Sequence, residues 1–372
     1  MISELVDANL LTCPACRGPL PDGAGLRSAP LQWVAVHTEA AGRPVHGLLE
    51  CSACRCRYPL IDGVAVVFAD TAEWLRGQAR SVQARVDLPG PLADFLGQAW
   101  AEDDAAGWHR QMRAVYSRSL LGADGPSMGL ADQLTASLRA CSAERLDARR
   151  GALLSHLGMG ATVLDAGCGV GENSLELASL GARVVAFDRD FAALRQLSQM
   201  LRDGTVDVPV WTHGGADFST RCLDVPQCVE AAARVAVVAG DALDPPFAAA
   251  AFDGVMALNL IDNVPEPVTC VRQLHGVLRA GGRLVLASPF DWSPRATPRA
   301  ARLGDGVRSS ASSGRDPVPT LHALLEGQLV HRAPELMLSI VHSEELPWVL
   351  VRHDRSAHLF VSHLVEADKP GR

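Results

Sequence analysis

The chain is predicted to be an α/β protein: a mostly parallel, doubly wound sheet with an antiparallel last strand, preceded by a small cysteine-rich module. Three observations predict it. Between residues 151 and 291, short β-branched runs alternate with helical segments, the pattern of βαβ units. One strand–turn–helix in that stretch, VLDAGCGVGENSLELA, carries three glycines at alternate positions. Five of the ten cysteines fall within the first 56 residues, four of them in two C-x-x-C pairs.

A chain of 372 residues, 48 % hydrophobic and 20 % charged, has ample apolar material for a core and suits two units joined by a linker. The formal net charge is -8. Long nucleic acid is bound mainly by neutralising phosphates, so this balance argues against such a partner. Arg295, Arg299, Arg302 and Arg308 cluster in a Pro/Ser-rich stretch and read as a solvated loop. No apolar run reaches the length of a membrane span. The start, MISELVDANLLTCPAC, lacks the basic region of a secretory signal, so the expected compartment is the cytosol. Thiols stay reduced there, and clustered cysteines then point to metal rather than disulfides.

Four stretches are expected. Residues 1–70 form the cysteine module, with β-like runs at 31–37 and 64–68. Residues 71–150 form a helical linker or cap, with Leu134, Leu138 and Leu146 at helical spacing. Residues 151–372 form the α/β domain. Within it the pattern predicts strands at 162–165, 183–188, 235–240, 252–259 and 283–287, and helices at 171–180, 191–202 and 267–278. Residues 203–234, which hold Trp211, Gly214 and Gly215, read as an insertion with a small β-excursion. A Pro/Arg/Ser-rich loop at 292–318 precedes a last helix and two strand-like runs.

The glycine loop carries most of the functional reading. A buried strand ends at Asp165, and Gly167, Gly169 and Gly171 follow before a helix begins. Such glycines let the backbone turn tightly and let a ligand approach without a Cβ in the way. A second strand ends at Asp188, where a carboxylate meets a ribose's two hydroxyls. Dinucleotide sites use a related G-x-G-x-x-G. Here the spacing is G-x-G-x-G, and an aspartate stands two residues before the first glycine. That carboxylate repels a pyrophosphate but accepts hydrogen bonds from a cationic amino group.

VLDAGCGVG resembles motif I of the class I S-adenosylmethionine-dependent methyltransferases, which have a Rossmann-like sheet. AGDALDPPF, FDGVMALNLIDNV and LHGVLRAGGRLVLASP follow in the order of that family's third, fourth and fifth strands. The resemblance covers about residues 151–291. It implies S-adenosylmethionine as cofactor, with Asp165, Gly167, Cys168, Gly169 and Gly171 around the methionine end. It implies Asp188 and Arg189 at the ribose, Asp241 and Ala242 beside the adenine, and Asn259 and Leu260 beneath the cofactor.

Cys13-Pro-Ala-Cys16 and Cys51-Ser-Ala-Cys54 each offer two thiolates from one knuckle. Together they make an S4 shell that favours zinc and leaves no open position, so the metal is expected to be structural. Cys56 competes with Cys54, and Cys54 is preferred because it keeps the two-residue spacing. A redox C-x-x-C is disfavoured, because two pairs stand here before any βαβ unit. CPACRGPL followed by LECSACRCRYPLIDGVAVV resembles the Trm112-like zinc-ribbon family.

Methyl transfer needs the acceptor held in line with the breaking S–C bond, and a base where the acceptor carries a proton. Asp262 and Asn263, just after the fourth strand, are the candidates to position it. Asn259-Leu260-Ile261-Asp262 stands where methyltransferases of amide or exocyclic nitrogens carry N/D-P-P-Y/F/W, which disfavours that chemistry. NLIDNVPEP, SPFDW and LPWVLVRHDRSAHLFVSHLVEA are similar to the methyltransferase domain of ovothiol-synthesising enzymes, which implies a histidine-like small-molecule acceptor. On that reading Asp291 and Trp292 begin a lid, and Arg352 or His353 meets the substrate. Each has a plainer role open to it: Asp262 as a helix cap, Trp292 as core, His353 on an exposed turn. The alternatives are a methyltransferase of tRNA, rRNA or a translation protein working through the Trm112-like module, and a non-catalytic binding protein that kept the fold. An NAD-dependent oxidoreductase fails on glycine spacing.

Overall fold

The computed structural model describes residues 1–19, 26, 27, 29–71, 73, 74, 88, 89, 92, 130–212, 217–307, 315–329 and 332–371. Arg308, Gly214, Gly215 and most of the expected helices between 71 and 129 lie outside these residues.

In chain order, α1 (Ile2–Asp7) is followed by the short pair β1 (Gly18–Pro19) and β2 (Leu26–Arg27). A meander of β3 (Leu31–Ala40), β4 (Arg43–Cys51), β5 (Arg57–Ile61) and β6 (Val64–Val66) completes the cysteine module. The long helix α2 (Leu130–Leu157) leads into β7 (Thr162–Ala166), α3 (Glu172–Ser179), β8 (Arg183–Asp188) and α4 (Phe191–Asp203). The hairpin β9 (Thr205–Thr212) and β10 (Asp217–Asp224), with α5 (Gln227–Ala231), forms the expected β-excursion. Then come β11 (Val235–Ala239), β12 (Phe252–Leu258), α6 (Pro267–Val277), β13 (Leu278–Ser288), α7 (Pro317–Leu325), β14 (Ser339–His353) and β15 (Ser356–Asp368).

The local chemistry explains these elements. Val163, Leu164 and Ala166 of β7 are fully buried, as a central parallel strand covered on both faces requires. In α4, Phe191, Leu194, Leu197 and Met200 bury one stripe, each contributing about 1.5–3 kcal/mol. Asp190 caps its first turn by accepting from Ala192 N at 2.9 Å, and Gly204 ends it in the left-handed region. β13 starts five residues before the expected 283. Leu278 pairs with Phe252, so the ladder begins before the Gly281–Gly282 kink rather than after it.

The sheet has eleven strands in the order β14-β15-β13-β12-β7-β8-β11-β6-β5-β4-β3. Pairing is parallel from β13 through β6 and antiparallel at both flanks. The cysteine module is continuous with the rest. Its β6 lies parallel to β11, with Val64, Ala65 and Val66 opposite Val237, Val238 and Ala239. One face of the sheet packs against α1, α6 and α7, the other against α2, α3 and α4.

Leu134 of α2, expected on an apolar face, is 76 % exposed. The helix docks through apolar groups in its second half, where Leu146, Leu153, Leu154 and Leu157 meet the core, and through polar groups toward the β14–β15 hairpin: Ser142 donates to Pro347 O, and Arg145 and Arg149 pair with Glu344 and Glu366. Of the three leucines at helical spacing, Leu146 packs against the core.

Candidate functional site

The carboxyl ends of β7, β8, β11 and β12 meet where the strand order reverses at β7, the place where open α/β sheets bind ligands. The glycine loop lies there, between β7 and α3. Asp165 is buried and accepts from Asn173 Nδ2 at 2.9 Å and Ser174 Oγ at 2.5 Å, which ties it to the first turn of α3. Arg150 extends the network by donating to Asn173 Oδ1 at 2.8 Å. Burial pushes the Asp165 carboxyl up, while Ser174, Asn173 and Arg150 pull it down.

Two of the glycines are enforced by packing. Gly171 has φ +84°, and a Cβ there would stand 2.5 Å from the Leu197 side chain. Gly167 has φ +77°, and its Cβ would press on Leu260 at 3.1 Å. Gly169 differs: a Cβ there would meet nothing within 4 Å, so this backbone faces open space. Its N–H donates to Asp188 Oδ2 at 2.8 Å.

Asp188 also accepts from Asp190 N at 2.8 Å. Burial pushes its carboxyl up to about 6, against the pull of the Asp190 and Gly169 N–H groups. The Cys168 thiol is pushed well up by burial and then by Asp188 and Asp165, so it stays a neutral packing group. One strand along, Arg189 pairs with Asp241 at 3.2 Å, and Asp241 accepts from Leu243 N at 2.9 Å. Ala242 packs against the core beside them.

The structure thus gathers Asp165, Gly167, Cys168, Gly169, Gly171, Asp188 and Leu260 around one loop, with Arg189, Asp241 and Ala242 beside it. Asn259 has φ +54°, and its side chain turns toward β15, where Ser362 Oγ donates to Oδ1 at 2.7 Å. An open backbone at Gly169 between two carboxylates suits a nucleoside with a cationic amino-acid end.

Asp262 and Asn263, expected to position the acceptor, divide. Asp262 is 2 % exposed and accepts from Ser288 Oγ at 3.1 Å, so its carboxylate is taken up inside the fold, and the N-cap of α6 is Glu266. Asn263 is exposed and donates to Asn259 O at 3.1 Å. Trp292 packs on Phe290 at the core's edge. Arg352 and His353 lie at the tip of the β14–β15 hairpin, next to Asp354, whose carbonyl accepts from Ala131 N at the start of α2.

At the cysteine module, the sulfurs of Cys13, Cys16, Cys51 and Cys54 all lie within 4.8 Å of one another. Cys13 and Cys54 are 3.5 Å apart, and Cys16 and Cys51 3.6 Å. A tetrahedral zinc with bonds of about 2.3 Å needs edges of about 3.8 Å, so the cluster fits a structural zinc. Cys56 is exposed and outside the cluster. The Tyr58 hydroxyl stands 3.0 Å from the Cys13 sulfur. Burial raises the Cys13 thiol, so a cation is what stabilises its thiolate there.

Two contacts were invisible in the sequence because their partners are far apart in the chain. Arg17, next to the first knuckle, pairs with Asp244 and donates to Pro245 O at 2.6 Å. At the other flank, His363 Nδ1 lies 2.6 Å from Glu345 Oε1, and His363 Nε2 lies 2.9 Å from His322 Nε2.

Residues 164–286 match the family described as Methyltransferase domain, and residues 8–63 match Trm112p-like protein. The chain therefore carries a methyltransferase domain with the class I, S-adenosylmethionine-dependent fold, joined to a Trm112p-like domain with a four-cysteine cluster. Among particular proteins, it is 34 % identical over 149 residues to a demethylmenaquinone methyltransferase of Thermobifida fusca (strain YX), covering 40 % of this chain and 51 % of that protein. The chain thus spans about half the length of that relative. A SAM-dependent methyltransferase from Methanosarcina mazei shares 18 % identity over 59 % of this chain and 96 % of its own, with a TM-score of 0.38. The 1,6-didemethyltoxoflavin-N1-methyltransferase of Burkholderia thailandensis shares 19 % identity over 73 % and 93 %, with a TM-score of 0.34.

Proposed function

We propose that this chain transfers the methyl group of S-adenosylmethionine to a nitrogen or other heteroatom of a small molecule, while zinc in the cysteine cluster serves as a structural element. The observation that supports this most is the glycine loop after β7, with open backbone at Gly169 and carboxylates at Asp165 and Asp188 on either side. When bound, the cofactor supplies an electrophilic methyl on a cationic sulfur. Asp165 accepts from the amino group, Asp188 accepts from the ribose hydroxyls, and Asp241 with Ala242 borders the adenine. Leu260 covers the loop, and Asn263 faces the acceptor. Asp262 acts at one remove, through Ser288. A small acceptor agrees with the net charge of -8. An imidazole nitrogen of a thiolated histidine is the narrower acceptor, supported by the likeness of NLIDNVPEP and SPFDW to the ovothiol-type domain.

A second reading, RNA or a translation protein as acceptor, draws on the Trm112p-like match. The pairing of β6 with β11 of the same chain supports the first, because this module already has its sheet partner in cis.

Titration calorimetry with S-adenosylhomocysteine tests the cofactor, with saturable one-to-one binding expected. Labelled methyl from S-adenosylmethionine is then followed into thiolated histidine, a demethylmenaquinone and a low-molecular-mass cell extract, with label expected in the small-molecule fraction. Label recovered only in RNA or protein would overturn the small-molecule acceptor.

A further inference from the structure

Resting on the methyl-transfer reading above, we propose that Glu345, His363 and His322 form a proton-accepting relay, in which His322 Nδ1 takes the proton that the acceptor loses. The three side chains come from β14, β15 and α7, and only the fold brings them together. His363 Nδ1 lies 2.6 Å from Glu345 Oε1, and the two Nε2 atoms are 2.9 Å apart, with ring centroids 5.1 Å apart. His363 is 7 % exposed, whereas the Glu345 side chain is 61 % exposed.

The position supports the role. His363 is the ladder partner of Ser288, the last residue of β13, whose hydroxyl donates to Asp262. Its neighbour Ser362 donates to Asn259 at the end of β12. The relay therefore stands at the carboxyl end of the sheet, the same end as the glycine loop, on the flank away from the ribose-side carboxylate.

The proton positions follow from who can donate to whom. The Glu345 carboxylate accepts only, so His363 donates to it from Nδ1. In the proposed resting state His363 Nε2 accepts, and His322 donates to it from Nε2. That leaves the lone pair of His322 on Nδ1, and no described residue hydrogen-bonds to it. In this state His322 presents the lone pair of a base. Burial and then His363 lower its pKa from 6.5, so the ring is neutral at pH 7. The titratable groups that face the pair are Glu345 from β14 and, at the end of α7, Glu326.

In the step, the acceptor's lone pair forms the new bond to carbon as the sulfur–carbon bond breaks and sulfur keeps its electron pair. The acceptor's proton passes to His322 Nδ1, the resulting positive charge is shared toward His363 and Glu345, and the same Nδ1 gives the proton to water once the product has left, which restores the starting tautomers. A pair of histidines that only pins α7 to the sheet would share the distances but not the chemistry.

Two measurements on the full chain test this. In nitrogen-15 spectra of histidine-labelled protein, assigned with H322Q and H363Q, His363 is expected protonated on Nδ1 and His322 on Nε2. E345Q, which keeps the shape, is expected to lose that order. In the labelled-methyl assay with cell extract, H322Q is expected to lower the rate about 100-fold, the size of a general-base contribution. Its affinity for S-adenosylhomocysteine should stay within about two-fold of wild type, since the relay makes no cofactor contact. The wild-type rate should rise with pH to a plateau reached before neutrality, and that limb should vanish in H322Q. The opposite tautomers, or an H322Q rate equal to wild type, would overturn the relay. A wild-type chain that binds no S-adenosylhomocysteine would instead sink the methyl-transfer reading, with the tautomers still deciding the relay's geometry.

Discussion

Arg17 and Asp244 form an ion pair between the first cysteine knuckle and the loop that follows β11. The contact is part of a seam. Thr12 N donates to Pro246 O at 2.8 Å, Ala248 N donates to Leu10 O at 3.0 Å, and Leu11 bridges Phe247. Phe247 in turn packs edge-on to Phe187 and Phe252 in the sheet. The metal-binding module is thereby fastened to the segment that begins at Asp241.

Arg17→Ala is expected to lower unfolding stability by about 2 kcal/mol, because the Arg17 side chain is only 9 % exposed and charged hydrogen bonds contribute about 1.5–3 kcal/mol. Affinity for S-adenosylhomocysteine should fall several-fold as the 241–245 loop loosens. Urea unfolding and calorimetry measure the two effects. Unchanged values for both would show that the seam does not depend on this pair.

Cys13→Ser is expected to purify with almost no zinc, since three sulfurs leave the tetrahedral shell incomplete. Tyr58→Phe is the finer test. It keeps all four ligands but removes the hydroxyl 3.0 Å from the Cys13 sulfur, and such outer partners contribute about 10–100-fold in metal affinity. Competition against a chromophoric chelator reads both.

Asp165 also holds the buried hydroxyl of Ser174. Asp165→Ala leaves the buried Ser174 hydroxyl without its partner and is expected to destabilise the fold by about 1–3 kcal/mol, besides losing cofactor affinity. Asp165→Asn keeps an acceptor for Ser174 but sets an amide N–H2 against Asn173 Nδ2, so it should melt between Asp165→Ala and wild type yet bind S-adenosylhomocysteine at least ten-fold more weakly. Thermal melts and calorimetry separate the two variants.

Cofactor affinity should depend on pH through Asp188. Its folded pKa of about 6 lies above the ordinary 3.8, so in the free protein this group favours folding increasingly as pH falls from about 6 toward 3.8. A ribose held by the carboxylate selects the ionised form, which is depleted below pH 6. Lowering pH from 7.5 to 5.5 is expected to weaken S-adenosylhomocysteine binding about four-fold. Asp188→Asn should bind weakly with no such slope. A slope retained in that variant would assign it to another group.

Much of the domain was legible from residue pattern, because parallel strands buried on both faces must be apolar throughout and their helices must be amphipathic. β8 falls on the residues expected, and β7, β11, β12, α3, α4 and α6 fall within a residue of their expected ends. Leu134 lies exposed because the apolar contact of α2 is confined to Leu146, Leu153, Leu154 and Leu157 in its second half, while arginine–glutamate pairs also help dock the helix.

By itself, the sequence determined what is local: the glycine turn after β7, the acidic strand ends, and the two cysteine knuckles. Each depends on backbone geometry or ligand chemistry within a few consecutive residues. Only the tertiary structure decided that β6 joins β11, that Arg17 reaches Asp244, that Asp262 turns inward to Ser288, and that Glu345, His363 and His322 line up. Those pairings join residues separated by up to hundreds of positions, and no periodicity along a chain encodes which strand edge or helix face will meet.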